Sequence, residues 1–310
     1  MSSDNNALLT EDDKLEIELI HDELYGLRFQ MYKYWLDIQY VVFSTDHLKA
    51  NVVLFENHDV IFTITAPTVS KMRNLEHKIS LINIDGNWLI SEDKYEDYLW
   101  SLLNKSKLSK QEFITTMNEG YQYFLSDKEP NKQPIVDNSV KSRGYYDRIG
   151  ARDYAATYWE TYNPYYYNFN SNDGDCANFV SQVMHEGGGI PETDDSQPTY
   201  GWYYNSSQDY ASAWTGVPYM YDFLLNGAYW NGGPEATLKN PSSLYIGDVI
   251  IFDLKSAGGT YDHATVVSSM VDMGNGTYFP LVAAHNNNCY DYPFTSFQYY
   301  QTYAFQITGY

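Results

Sequence analysis

Cys176 stands in the run Gly174-Asp175-Cys176-Ala177-Asn178-Phe179-Val180-Ser181-Gln182, where a loop of Asn, Asp and Gly (170–174) gives way to helix formers that Gly187-Gly188-Gly189 then stops. This pattern places the cysteine at or near the first turn of a helix. A helix N-terminus carries about half a positive charge. That field favours thiolate over thiol, and the thiolate is the nucleophile of cysteine hydrolases. Free cysteines are also common as small, inert core residues, so the motif alone leaves both roles open.

A thiolate needs a general base within hydrogen-bond reach and a group that orients the base. His185 is nine residues further along the same predicted helix, on the opposite face and about 13 Å along the axis. It suits the helix C-terminus instead. His263 opens an apolar strand after Gly258-Gly259-Thr260-Tyr261-Asp262. A buried polar ring there has to be satisfied, and a thiolate would satisfy it; a capped core histidine is the competing reading. His285 ends the next predicted strand, ahead of Asn286-Asn287-Asn288. Antiparallel neighbours bring the start of one strand near the end of the next. His285, or an Asn of 286–288, is then the group that orients His263, unless His285 is an ordinary loop residue. Asp262 is disfavoured because neighbouring strand residues point to opposite faces.

Tyr146-Asp147-Arg148, Tyr154-Ala155, Tyr158, Tyr162-Asn163-Pro164 and Phe169 precede the cysteine motif, and Gly247-Asp248-Val249-Ile250, Asp262-His263-Ala264-Thr265-Val266-Val267 and Ala284-His285 follow it. Together they resemble the putative amidase domain family over about residues 144–308. The resemblance implies a papain-like cysteine hydrolase related to cell-wall amidases and endopeptidases. It implies Cys176 as nucleophile, His263 as base and His285 as third polar residue. The family often carries Asp three residues after that histidine; here the position is Asn288. The implied reaction is attack of the thiolate on an amide carbonyl, with backbone N–H groups at the helix start stabilising the oxyanion. Asn172 and Asp173, with Asp175 beside them, are the candidates to line the oxyanion or substrate site. A peptidoglycan peptide or related amide is the expected substrate. A non-catalytic glycan- or peptide-binding module and an acyltransferase using the same residues are the alternatives.

The 310-residue chain has a net charge of −21, and after Arg152 only Lys239 and Lys255 are basic. Such a surface repels phosphate backbones, which excludes nucleic acid as an expected partner. No run reaches the roughly 18–20 apolar residues of a membrane helix, so no membrane insertion is expected. No metal site or cofactor is expected: His21, His47, His58 and His77 are scattered and show no ligand spacing. Two cysteines do not make a disulfide framework; proximity of Cys289 to Cys176 would permit a redox switch. The polar opening Met1-Ser-Ser-Asp-Asn-Asn lacks the basic region of a signal peptide. The expectation is an extracellular or cell-envelope protein in mature form, or a cytoplasmic one.

The elements that must position these residues give an α+β plan. Thr10 caps a helix with acids in its first turn. Strand-like runs follow at 51–55, 60–65 and 77–84, and Asp85-Gly86 turns the chain into a returning strand at 87–91. Ser109 and Glu112 form a capping box before a second helix. Residues 1–125 therefore read as a helix-plus-antiparallel-sheet domain that weakly resembles nuclear-transport-factor-like cone folds and serves as a spacer or partner-binding unit. Residues 126–143 read as a linker, and 144–310 as the papain-like domain. There Tyr154, Tyr158 and Tyr162 share one helix face, as an aromatic stripe on the core rather than a glycan-stacking surface, and strands are expected at 247–253, 263–269, 278–284 and 303–307.

Overall fold

The computed structural model describes residues 9–95, 99, 103, 108–126, 144–170, 174–193, 198–226, 232–253, 261–274, 276–297 and 301–310. The expected linker, apart from Ser126, lies outside them. The fold is α+β. In order come α1 (Glu11–Tyr25), β1 (Phe29–Phe43), β2 (Lys49–Phe62), β3 (Ser70–Ile84), β4 (Asn87–Lys94), α2 (Lys110–Ser126), α3 (Arg148–Tyr158) and α4 (Cys176–Gln182). After them come β5 (Tyr204–Ser206), β6 (Asp209–Tyr210), α5 (Ser212–Thr215), α6 (Val217–Asn226), β7 (Glu235–Lys239), β8 (Val249–Asp253), β9 (His263–Asp272), β10 (Tyr278–Ala284), β11 (Asn288–Pro293) and β12 (Gln301–Gly309).

Local signals set the ends of these elements. Thr10 and Asp13 form a capping box at α1. Glu112 accepts from the Ser109 backbone and hydroxyl at the head of α2. Asp85 and Gly86 both take positive φ, the two-residue turn that matches strand twist, and this closes the β3–β4 hairpin.

One ten-stranded sheet runs β1-β2-β3-β11-β10-β9-β8-β12-β7, with β4 also paired to β3. Every described ladder is antiparallel. β3 joins the two parts of the chain: Lys71–Arg73 pair with Asn288–Tyr290 of β11, while Lys78–Ile84 pair with β4. The N-terminal strands thus continue the C-terminal sheet without a break.

The sheet is apolar on both faces. α3, α4 and α6 cover one, packing on Val249, Ile251, Ala264, Val266, Ala283 and Phe305. The other meets Tyr25 of α1 and Phe124 of α2 through Ile250, Phe252, Val267, Phe279, Leu281 and Val282. Each large aliphatic or Phe side chain buried in these layers contributes roughly 1.5–3 kcal/mol. Among the described residues no helix is long and apolar enough to cross a membrane.

The Tyr-Asp-Arg and Gly-Asp segments form one buried staple. Asp147 caps α3 by accepting from the Ile149 and Gly150 amides. Arg148 donates to Asp248 (2.6 Å), Ile246 O and Ile307 O, and Tyr146 donates to Gly247 O. Gly247 has φ +84, and a Cβ there would sit 2.9 Å from the Tyr146 hydroxyl. These residues tie α3 to the entry of β8 and to β12, and so fix the layer on which α4 rests.

Candidate active site

Cys176 is the first residue of α4, a helix that a π-helical turn continues over Val183–Gly187. Gly174 makes the approach in positive φ, where a Cβ would press on the Asn286 amide at 2.8 Å. The Asn286 side chain in turn accepts from the Asp175 amide at 2.6 Å. Asn286 and Asn287 both take positive φ, a conformation that Asn tolerates better than most residues. The paired Asn after a predicted strand is the sequence signal for this turn, but its contact with the cysteine loop is long-range.

Asp175 is fully buried. Its carboxylate accepts from the Phe169 amide (2.9 Å), the Asn178 side chain (2.9 Å) and His285 Nδ1 (2.6 Å). His285 Nε2 donates to Tyr158 O at 2.8 Å, at the C-terminal end of α3. The Asp175 carboxylate and the Tyr158 carbonyl thus hold the imidazole from both ring nitrogens and fix its orientation. The ring stacks on Phe179 (4.2 Å between centroids) and packs against Tyr162 (4.5 Å). The sequence expectation gives Asp175 a place near substrate and His285 a place behind His263. The structure joins Asp175 and His285 to each other. Asn178, which sequence reasoning assigns no role, links Asp175 to Tyr167 O and accepts from Trp214 Nε1. Asn172 and Asp173 lie outside the described residues.

The Cys176 sulfur faces the backbone amides of Ala264 on β9 and of Ala177. It is only 6% exposed, and burial, aided by the Asp175 charge, pushes its thiol up to about 11 despite those amides. The helix-start field expected to favour thiolate is outweighed because desolvation penalises the charged form more.

His263 is the first residue of β9 and sits opposite Phe252. Its ring packs on Phe297 (5.1 Å) and near Phe252 (6.3 Å), both in the core that contains α1 and α2 contacts. The next residue, Ala264, belongs to the other core, with Cys176. The structure therefore places the His263 side chain and Cys176 on opposite faces of the sheet, one residue apart along β9. Burial lowers the His263 imidazole to about 4. Cys289 also packs in the face away from Cys176, and both cysteines are free thiols. His185 Nδ1 donates to Ile190 O at 2.7 Å from the helix end. His58 lies between Glu56 and Tyr292, and His77 against Asp93. Among the described residues no group of His, Cys, Asp and Glu is disposed to hold a metal ion.

The family model described as a putative amidase domain matches residues 145–308. The chain belongs to that family. Its matched span starts just before the Arg148 staple and ends in β12, so it covers the whole layer that carries Cys176, Asp175 and His285. Membership points to amide hydrolysis as the activity. The chain is also 31% identical over 217 residues to a protein of Bacillus subtilis (strain 168) that bears the name Uncharacterized protein YhbB. That match covers 64% of this chain and 66% of the relative, just under two thirds of its length. No solved structure matches the chain.

Proposed function

We propose that this amidase-family domain is a papain-like cysteine hydrolase that cleaves an amide bond through Cys176, with peptidoglycan peptides or related amides as its substrate class. The observation that carries this reading is the cysteine itself: the first residue of a helix, with backbone N–H groups converging on its sulfur, inside a family described by amide cleavage. The thiolate forms a bond to the carbonyl carbon, and the carbonyl π pair moves to oxygen, where backbone N–H groups stabilise it. The C–N bond then breaks, the amine leaves with a proton from an imidazolium, and water releases the acyl group as acid, restoring the thiol.

His263 is the proposed base and His285, held by Asp175, the proposed positioning residue. For His263 to serve, the backbone must turn at the first residue of β9, carrying the ring from the Phe297 side to the Cys176 side. An extracellular or cell-envelope location belongs to the same proposal. A second reading has its own support. The sealed thiol and the His263 ring on the opposite face favour a binding module that keeps the fold without the chemistry.

Hydrolysis of peptide amides and soluble peptidoglycan fragments by the full chain, Cys176→Ala and His263→Ala separates the two. Turnover lost in both variants, with substrate binding retained, supports the hydrolase. Binding without turnover in the unaltered chain, unchanged in Cys176→Ala, supports the module. Product that forms only when an added amine is present assigns an acyltransferase.

A further inference from the structure

We infer that β1 is a dimerisation edge, which pairs antiparallel with β1 of a second copy of this chain about a two-fold axis at Trp35. β1 stands at the end of the sheet order and, among the described residues, pairs with β2 alone. It is 15 residues long and exposed along nearly its whole length on both faces. Tyr34, Leu36 and Ile38 are 58%, 48% and 64% exposed. Proteins protect such edges with charge, proline, bulges or short strands. Here the two bulges fall at Phe29/Met31 and Ile38/Tyr40 and leave Met31–Ile38 regular. A long, exposed edge with an uninterrupted register over Met31–Ile38 is a template for another strand.

Charge complementarity identifies that strand. Within β1 only Lys33 and Asp37 are charged, and they lie on one face, equidistant from Trp35. Antiparallel self-pairing centred on Trp35 sets Lys33 of each copy opposite Asp37 of the other, twice. On the other face it sets Tyr34 opposite Leu36 and Tyr32 opposite Ile38, apolar against apolar. Self-pairing centred on Lys33 or on Asp37 would oppose like charges, which destabilises a sheet pair. The contact is isologous, so it closes at two copies and does not propagate. β1 is remote in the sheet order from β9, and this inference is independent of the proposed chemistry.

The full chain is tested by light scattering after size exclusion over a range of concentrations. The expected mass is twice the chain's 35.8 kDa. Lys33→Asp opposes two aspartates at each pair and should halve the mass. Lys33→Asp combined with Asp37→Lys restores opposite charges across the axis and should restore the dimer. Trp35→Cys, which faces itself across the two-fold, should give a disulfide-linked dimer on oxidation, since the native cysteines are buried. A single-chain mass at every concentration, a dimer indifferent to Lys33→Asp, or a Trp35→Cys chain that stays uncross-linked overturns the assignment.

Discussion

His285 donates through Nδ1 to Asp175, 2.6 Å away and on the residue just before Cys176. The contact ties the end of β10 to the start of α4, and Nε2 ties both to the end of α3. Breaking a buried pair from one side leaves an uncompensated partner and costs about 3–5 kcal/mol. Asp175→Ala also strands the Phe169 amide and the Asn178 side chain. Denaturant unfolding is expected to show a loss of that size in Asp175→Ala and in His285→Ala. The double variant should lose less than the sum, because the two remove one shared interaction. Additive losses would show that the residues stabilise the fold independently.

Stability should fall on the acid side because of His263. Its imidazole is held neutral by burial, with a folded value of about 4 against an ordinary 6.5. Between those values the unfolded chain binds a proton that the folded chain does not, so stability drops as pH falls through that window. The contribution is present above pH 6.5 and amounts to on the order of 3 kcal/mol. His263→Leu is expected to flatten the urea midpoint between pH 6.5 and 4. An unchanged acid limb in that variant would mean that other groups govern it.

The position of His263 also shows where sequence ends as a guide to the site. The start of α4 is legible because a polar loop, a cysteine and a glycine stop are local signals. The antiparallel meeting of β9 and β10 is legible as well, with Ala283 opposite Val266. The face that the His263 ring takes is not. His-Ala-Thr-Val-Val is buried on both sides of the sheet, so no alternation of apolar and polar residues marks which parity faces α4. The same ambiguity hides the destination of Cys289.

In the N-terminal part the caps at Thr10 and Ser109 and the turn at Asp85-Gly86 can be read from neighbouring residues. β1 cannot, because a strand exposed on both faces has no period-two pattern. The union of β3 with β11 rests on partners more than 200 positions apart, such as Arg73 and Asn288, and nothing local encodes it.

Arg148 and Asp248 offer a sharper stability test. Asp248 is fully buried and accepts from Arg148, the Tyr245 amide and the Ile307 amide. Arg148→Met leaves that carboxylate without its cation, and a loss of about 3–5 kcal/mol is expected. Removing both charges with Asp248→Leu should recover only part of it, since two backbone N–H groups then lose their acceptor, each at about 1–3 kcal/mol. Full recovery in thermal unfolding would show that the stranded carboxylate, not the lost backbone contacts, caused the whole loss.

Cys176 should be slow to alkylate in the folded protein. With a thiol pushed up to about 11, thiolate near neutral pH is roughly one part in ten thousand. Iodoacetamide labelling at residue 176, followed by peptide mass spectrometry with Cys289→Ser as background, is expected to accelerate about tenfold per pH unit up to that value. The same shift predicts an alkaline limb. The folded thiol holds its proton above the unfolded chain's ordinary value of 9.0, so the contribution is intact below pH 9 and is lost as pH rises from 9 to 11. Cys176→Ala should remove that part of the limb. Fast labelling at neutral pH would mean that the sulfur spends much of its time outside the packing seen here, beside a cationic group that lowers its pKa.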